Sequence, residues 1–296
     1  MYRQISANRF RTILLMAIFC AIIIGVGWAF AYIYDDSSML YFAIIVSVVM
    51  NWISYFHSDR LALMTARARL VDQAKLSEHK VQNLVENLSI TAGIPTPKVY
   101  LIEDPSLNAF ATGRNPHHAS IALTRGLVET LSKAELEGVI AHELSHVKNY
   151  DILLATIVVT LVGTITLLGD YFARSRWLVK NDNNHNGNGN ILMLVGLLLI
   201  VLSPIFVTLL QLAVSRKREL LADASGAMLT RYPEGLASAL EKIAAHPQTL
   251  TTANRATAHL FIVSPFADKV RVSVANLWST HPPIQDRIKL LRNMGA

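Results

Sequence analysis

Four stretches of apolar residues without a single charge divide this chain, and the segments between them mix apolar and polar positions as a folded domain does. Thr12 to Tyr34 is the first; as a helix it extends about 35 Å, enough to cross a bilayer. It is too long for the core of a secretion signal and carries no small-residue cleavage site, so it reads as a retained span. Met39 to Phe56 follows after an Asp35-Asp36-Ser37-Ser38 turn. Ile152 to Gly169 is the third run. Ile191 to Ser215 is the fourth, with a kink expected at Pro204. The two shorter runs sit at the lower length limit for a span, where a buried core helix is the competing reading.

Between the second and third runs the periodicity changes. Val81, Leu84, Val85 and Leu88 recur at helical spacing, and Gly93 and Pro95 end that helix. Lys98 to Ile102, Asn108 to Thr112 and Ser120 to Leu123 read as short strands separated by turns, with His117 and His118 in a turn before the last. After the fourth run, two or three helices are expected, bounded by Pro233, Pro247 and Pro282-Pro283. The expected fold class is an integral membrane α-helical protein of about four spans, with an α+β domain split by spans three and four. Its parts are an N-terminal hairpin (1–58), a first segment of the α+β domain (59–151), a second hairpin (152–215) and a second segment of that domain (216–296).

Composition supports the membrane reading. The chain of 296 residues is 52% hydrophobic and 16% charged, with a mean hydropathy of +0.36. Soluble domains carry about 25% charged residues. A net charge of +6 and a pI near 9.5 would suggest nucleic acid in a soluble protein. Here the bases flank spans instead, and no aromatic-interleaved basic run or zinc-finger spacing is present. Arg3, Arg9, Arg11, Arg60, Arg67, Arg69, Arg216, Lys217 and Arg218 place both termini and the large segments on the cytoplasmic side. Arg174, Arg176 and Lys180 between spans three and four run against this count, which fits either a shallow or re-entrant hairpin or an exception to the rule. The Asn-rich stretch from Asn181 to Asn190 is of low complexity, and His185 within it reads as a solvated loop residue. Cys20 is the one cysteine, so no intramolecular disulfide exists and no oxidising compartment is implied.

The chemistry is concentrated in His142-Glu143-Leu144-Ser145-His146. In a helix, residues four apart share a face, so both imidazoles can reach one metal ion. Glu143 stands beside that ion and can take a proton from water. A zinc held by two His and a carboxylate keeps a fourth position open for that water. Ser132-Lys133-Ala134-Glu135 has the form of a capping box at the start of this helix. The alternative, a charged face with two surface histidines, fits poorly with the apolar approach Gly138-Val139-Ile140-Ala141. The third ligand must be another His, an Asp or a Glu. Glu219 and Asp223 lie one helical turn apart directly after the fourth run. One of them can bind the ion while the other fixes a ligand imidazole. His146 lies about 9 Å of helix before the third run, and Glu219 about 6 Å after the fourth. An antiparallel hairpin would therefore bring them to one height, near the membrane surface.

Taken together, His142 to His146, Ser215-Arg216-Lys217-Arg218-Glu219 and Ala222-Asp223 resemble the HtpX-type membrane zinc endopeptidases, relatives of the CAAX prenyl endopeptidases. Asn108-Ala109-Phe110-Ala111-Thr112-Gly113, Ile121 to Leu127, and Ser279-Thr280-His281-Pro282-Pro283 with Arg287 resemble further segments of that family. The likeness covers nearly the whole chain and implies that the α+β domain is a zincin-like metalloprotease domain, with 59–151 and 216–296 as the two parts of its catalytic domain. It implies one zinc held by His142, His146 and Glu219, with Glu143 as catalytic base. Asp223 would stand behind the ligands. Asn108, with Ala109, Phe110 and Ala111, would bind the substrate backbone. His281 and Arg287 would stabilise the oxyanion or hold the site together. It further implies a multi-pass protein of the bacterial cytoplasmic (inner) membrane, with protein and membrane-protein substrates, the lipid bilayer as partner, no nucleic acid, and a part in stress-related quality control. Two other classes compete. A silent binding module would be expected to have lost Glu143, and a transporter would carry ionisable residues inside its spans, where the four runs have none.

Overall fold

The computed structural model describes residues 2–158, 161, 216–246, 260–262 and 282–294. Helix α1 runs Tyr2–Tyr34 and α2 Ser38–Thr65. The turn between them places Asp35 at φ 51°, and the Asp36 carboxylate accepts the Ser38 amide at 2.9 Å. Both helices are long and apolar enough to cross a bilayer, over Ile5–Ile33 and Ser38–Thr65. They pack through small residues. Ala43, Ser47, Asn51, Ser54, Ser58 and Ala62 form the buried stripe of α2. A Cβ on Gly27 would fall 2.2 Å from that of Ala43. Close approach of this kind is how apolar helices associate in lipid, where burial against a neighbour gains nothing over burial in acyl chains. Phe42, Ile45, Trp52 and Trp28 remain on the outer surface.

Helix α2 does not end with the apolar run at Phe56. It continues through Asp59 and Arg60, and its last turns place Ala62, Leu63 and Ala66 against Ile102, Phe110 and Ala122 of a sheet. One helix therefore belongs to both the hairpin and the α+β domain. Most of the third expected span and all of the fourth lie outside the described residues, as do the Asn-rich loop, His185, Pro204, Pro247 and His281.

The sheet has the order β1-β2-β4-β3, with β1 Arg69–Leu70, β2 Lys98–Ile102, β3 Ala109–Asn115 and β4 His118–Thr124. β2 and β4 are parallel, while β3 and β1 pair antiparallel to their neighbours. This leaves β3 at an edge. The three expected strands are present; β1 is too short to leave a periodic signal. Helix α3, Leu76–Ala92, ends at Gly93 in the left-handed conformation (φ 70°), as the sequence indicates. Helix α4, Arg125–Thr130, follows β4 without a loop and is capped by the Thr124 hydroxyl. A buried carboxylate joins these pieces. Glu78 receives Arg69 at 2.6 and 2.9 Å and the Asp72 amide at 2.7 Å. Arg69 and Arg125 also share Glu103.

Helix α5, Lys133–Lys148, carries the H-E-x-x-H pentad and starts with the expected capping box of Ser132 and Glu135. The same Glu135 carboxylate accepts Ser238 at 2.6 Å and Lys242 at 2.8 Å, which fixes a later helix to this end of α5. Among the described residues, three helices follow the fourth apolar run: α6 Arg216–Thr230, α7 Pro233–Ala245 and α8 Ile284–Met294. Val139, Ile140 and Leu144 of α5 share one core with Val85 of α3, Ile121 of β4, Leu240 of α7 and Ile288 of α8. Helix α5 is thus packed from several sides, which is what a rigid metal site requires.

Candidate active site

Helical spacing puts His142 and His146 on one face of α5, and their Nε2 atoms lie 3.2 Å apart. Glu219 enters from α6, with carboxylate oxygens 3.8 Å from His142 Nε2 and 3.5 Å from His146 Nε2. Zinc holds its ligands at about 2.1 Å, so the donors of a tetrahedral site are separated by about 3.4 Å. The three atoms, all within 4.8 Å of one another, have the spacing and chemistry of such a site. Helix α6 comes this close because position 226 is glycine. A Cβ there would sit 3.0 Å from the His142 backbone nitrogen.

Each imidazole turns its other nitrogen to a carboxylate. His142 Nδ1 is 2.9 Å from Asp223 Oδ1, in close contact but without the alignment of a full hydrogen bond. His146 Nδ1 lies 3.1 Å from Asp151 Oδ2. Such carboxylates set the ring orientation and leave Nε2 as the ligand atom. Asp223 is in turn gripped by Arg287, whose guanidinium donates to both carboxylate oxygens at 2.8 and 2.7 Å. Burial pushes the Asp223 carboxyl up, but Arg287 and His142 outweigh it and hold the group at about 2. Burial likewise lowers the His146 imidazole, yet the Asp151 hydrogen bond and the Glu219 charge raise it to about 9. The field that favours a protonated ring favours any cation in this position.

Glu143 is buried, at 2% exposure, beside the two histidines. Loss of water raises its carboxyl above the usual carboxylate range, against the pull of His142 and His146. The Ala111 backbone N–H also pulls against that rise, so the edge strand and Glu143 are neighbours.

The strand segment Asn108 to Ala111 is where the sequence indicates, but its groups are already engaged. Asn108 Oδ1 accepts the Ala109 amide at 3.1 Å. The Ala109 carbonyl accepts Ile262 N–H at 3.0 Å, and the Phe110 ring meets Phe261 edge-on at 5.1 Å. Arg287 closes the circuit by donating to the Ile262 carbonyl at 3.2 Å. His281, the remaining expected site residue, lies outside the described residues. Asp151 is the site residue that sequence reasoning passed over. Its signal is weak, a carboxylate five positions after His146 and beyond the end of the helix, where no helical repeat predicts its direction.

Helices and an edge strand arranged in this way make a membrane-associated metalloprotease, and comparison with known proteins agrees. The profile of "Peptidase family M48" matches residues 75–295. "Protease HtpX homolog" of Caldanaerobacter subterraneus subsp. tengcongensis is 43% identical over 301 residues, spanning 99% of this chain and 98% of that protein. The homologue of the same name from Dictyoglomus thermophilum is 44% identical over 298 residues, covering 99% and 95%. That from Pyrococcus furiosus is 43% identical over 286 residues, covering 96% and 95%. Among solved structures, the crystal structure of S. mikatae Ste24p aligns with 98% of this chain and 67% of its own, at a TM-score of 0.50 and 17% identity, a likeness of fold. The chain belongs to peptidase family M48, as a protease of the HtpX type.

Proposed function

We propose that this protein is a zinc-dependent membrane endopeptidase (EC 3.4.24 type) that cleaves membrane or misfolded proteins in stress-related quality control. In this reading it sits in the bacterial cytoplasmic membrane as a multi-pass protein with its catalytic domain towards the cytoplasm. The observation that carries the reading is the juxtaposition of three ligand atoms at zinc spacing with a buried carboxyl next to them.

His142, His146 and Glu219 would hold the ion, and Asp223 and Asp151 would aim the two imidazoles. Zinc, when bound, supplies Lewis acidity towards a carbonyl oxygen and lowers the pKa of water. Glu143 takes the proton of the attacking water at its carboxylate and delivers it to the leaving amine. A carboxyl raised by burial suits both halves of that task, because its affinity for the proton lies closer to neutrality. Arg287, committed to Asp223 and Ile262, would hold the site together rather than meet the oxyanion, which leaves the latter role to His281. The substrate backbone would add to β3. The chain's own Ile262 already pairs with that edge, which supports its capacity to accept a strand by main-chain bonding.

Two substitutions test this. Glu143→Gln in detergent-purified protein is expected to retain zinc and fold while casein cleavage falls by at least a hundredfold. Glu219→Ala is expected to release most of the zinc, because two histidines alone make a weak site. Cleavage within a few-fold of the parent in the first variant, or unchanged metal content in the second, would remove that residue from its role.

A further inference from the structure

His146 is aimed by Asp151, and Asp151 is held by a residue of the first membrane helix. Asn8, 2% exposed, donates Nδ2 to Asp151 Oδ1 at 2.7 Å and to the Asn149 carbonyl at 3.1 Å. Its own side-chain oxygen accepts Arg218 at 3.4 Å, and Arg218 lies 3.7 Å from Asp151. A buried relay therefore runs from α1 to the second histidine of the pentad.

The local backbone explains why the relay is needed. Helix α5 ends at Lys148, and Tyr150 takes φ 60°, a left-handed conformation that costs a non-glycine residue of order 1 kcal/mol. That bend swings Asp151 back towards His146. It is secured from α1 on two sides: Asn8 binds the carbonyl before the bend and the carboxylate after it, and the Arg9 guanidinium covers the Tyr150 ring at 4.6 Å. Further along, Leu15 and Phe19 of α1 pack on Leu154, Ile157 and Val158 directly beyond Asp151.

We infer that the N-terminal membrane helix is a working part of the metal centre, with Asn8 a positioning residue that acts through Asp151 on His146. The inference rests on the reading of His146 as a zinc ligand. It makes metal retention depend on the docking of α1, so a chain whose first helix is not seated against α5 holds its metal poorly. Proteolysis is thereby tied to correct insertion in the membrane.

Zinc release from the full-length protein in detergent to a chromogenic chelator tests this. The parent, Asn8→Leu, Asp151→Asn, the double variant and Thr12→Val are compared, with far-ultraviolet circular dichroism to report the fold. Loss of a carboxylate partner behind a ligand histidine costs about 10–100-fold in metal affinity. Asn8→Leu is expected to speed release about tenfold with the helical signal kept, and the double variant to be no faster than Asp151→Asn alone. Thr12→Val, which removes a hydroxyl that donates to the Asn8 carbonyl of its own helix, is expected to behave as the parent. Asn8→Ser, which keeps polarity but not reach, carries the same expectation if the leucine variant does not accumulate. Parental release in both Asn8 variants, or rate effects that multiply in the double variant, would overturn the inference while leaving the zinc site standing. A parent without zinc, or zinc retention untouched by His146→Ala, would instead overturn the site reading on which it rests.

Discussion

Asp223 stands between a guanidinium that must be kept buried and a histidine that must be kept aimed. Arg287 is 1% exposed, and both oxygens of Asp223 answer it. Removing one partner of such a pair leaves an uncompensated charge in the interior, at a cost of about 3–5 kcal/mol, whereas replacing both by apolar groups of similar volume is often neutral. Asp223→Ala is therefore expected to lower stability by that amount in denaturant unfolding of the solubilised protein. Asp223→Leu combined with Arg287→Met is expected to recover most of the loss, yet still to release zinc faster than the parent, because His142 has lost its carboxylate. If the double variant held zinc like the parent, Asp223 would serve the fold alone.

Among the elements, the approach of α6 to α5 decides whether Glu219 reaches the histidines. The contact is made at Gly226, whose missing side chain leaves room for the His142 backbone. A β-branched residue there must push the helices apart by a few tenths of an ångström or more, and a zinc site tolerates little of that. Gly226→Val is expected to reduce zinc content at least tenfold in metal analysis. Met228→Val, two positions on and 79% exposed, introduces the same side chain on the outer face and is expected to leave zinc in place. Equal metal content in the two variants would show that α6 is free to adjust. The edge strand offers a different lesson. Substrate pairing along β3 is a reading of its position in the sheet, and its outer edge is shared with Ile262, Glu143 and, through the Gly113 amide, Thr156.

At the scale of the whole molecule, α2 crosses from the apolar hairpin into the sheet, and α1 reaches Asp151 beside His146. The domain and the hairpin are one structure. Some of the bases on which the expected orientation rests also have structural partners: Arg69 binds Glu78 and Glu103, and Arg218 lies near Asp151. The orientation can be tested in a Cys20→Ser background, in which the serine hydroxyl can still accept the Asn51 amide that now meets Cys20 Sγ at 2.9 Å. Lys75→Cys, at an exposed position beside the start of α3, is expected to resist an impermeant thiol reagent in intact cells. Asp36→Cys, in the turn between α1 and α2, is expected to react. The reverse pattern would place the catalytic domain outside and exclude a role on cytoplasmic proteins.

Local geometry made much of this protein legible in its sequence. The spacing of Val81, Val85 and Leu88, the Ser132–Glu135 box and the breaks at Gly93 and Pro233 define helices because each depends on residues within a turn or two of one another. The same holds for the metal chemistry: His142 and His146 share a face by the helical repeat, and so do Glu219 and Asp223. The tertiary structure alone decided which groups complete the site. It placed β4 between β2 and β3, leaving β3 at the edge. It paired Arg287 with Asp223, Ile262 with Ala109, and Asn8 with Asp151 across 143 positions of chain. No periodicity connects residues so far apart. Their meeting is set by how the packed helices enter the core, and a buried polar side chain acquires its role only from the partner that packing brings within hydrogen-bond reach.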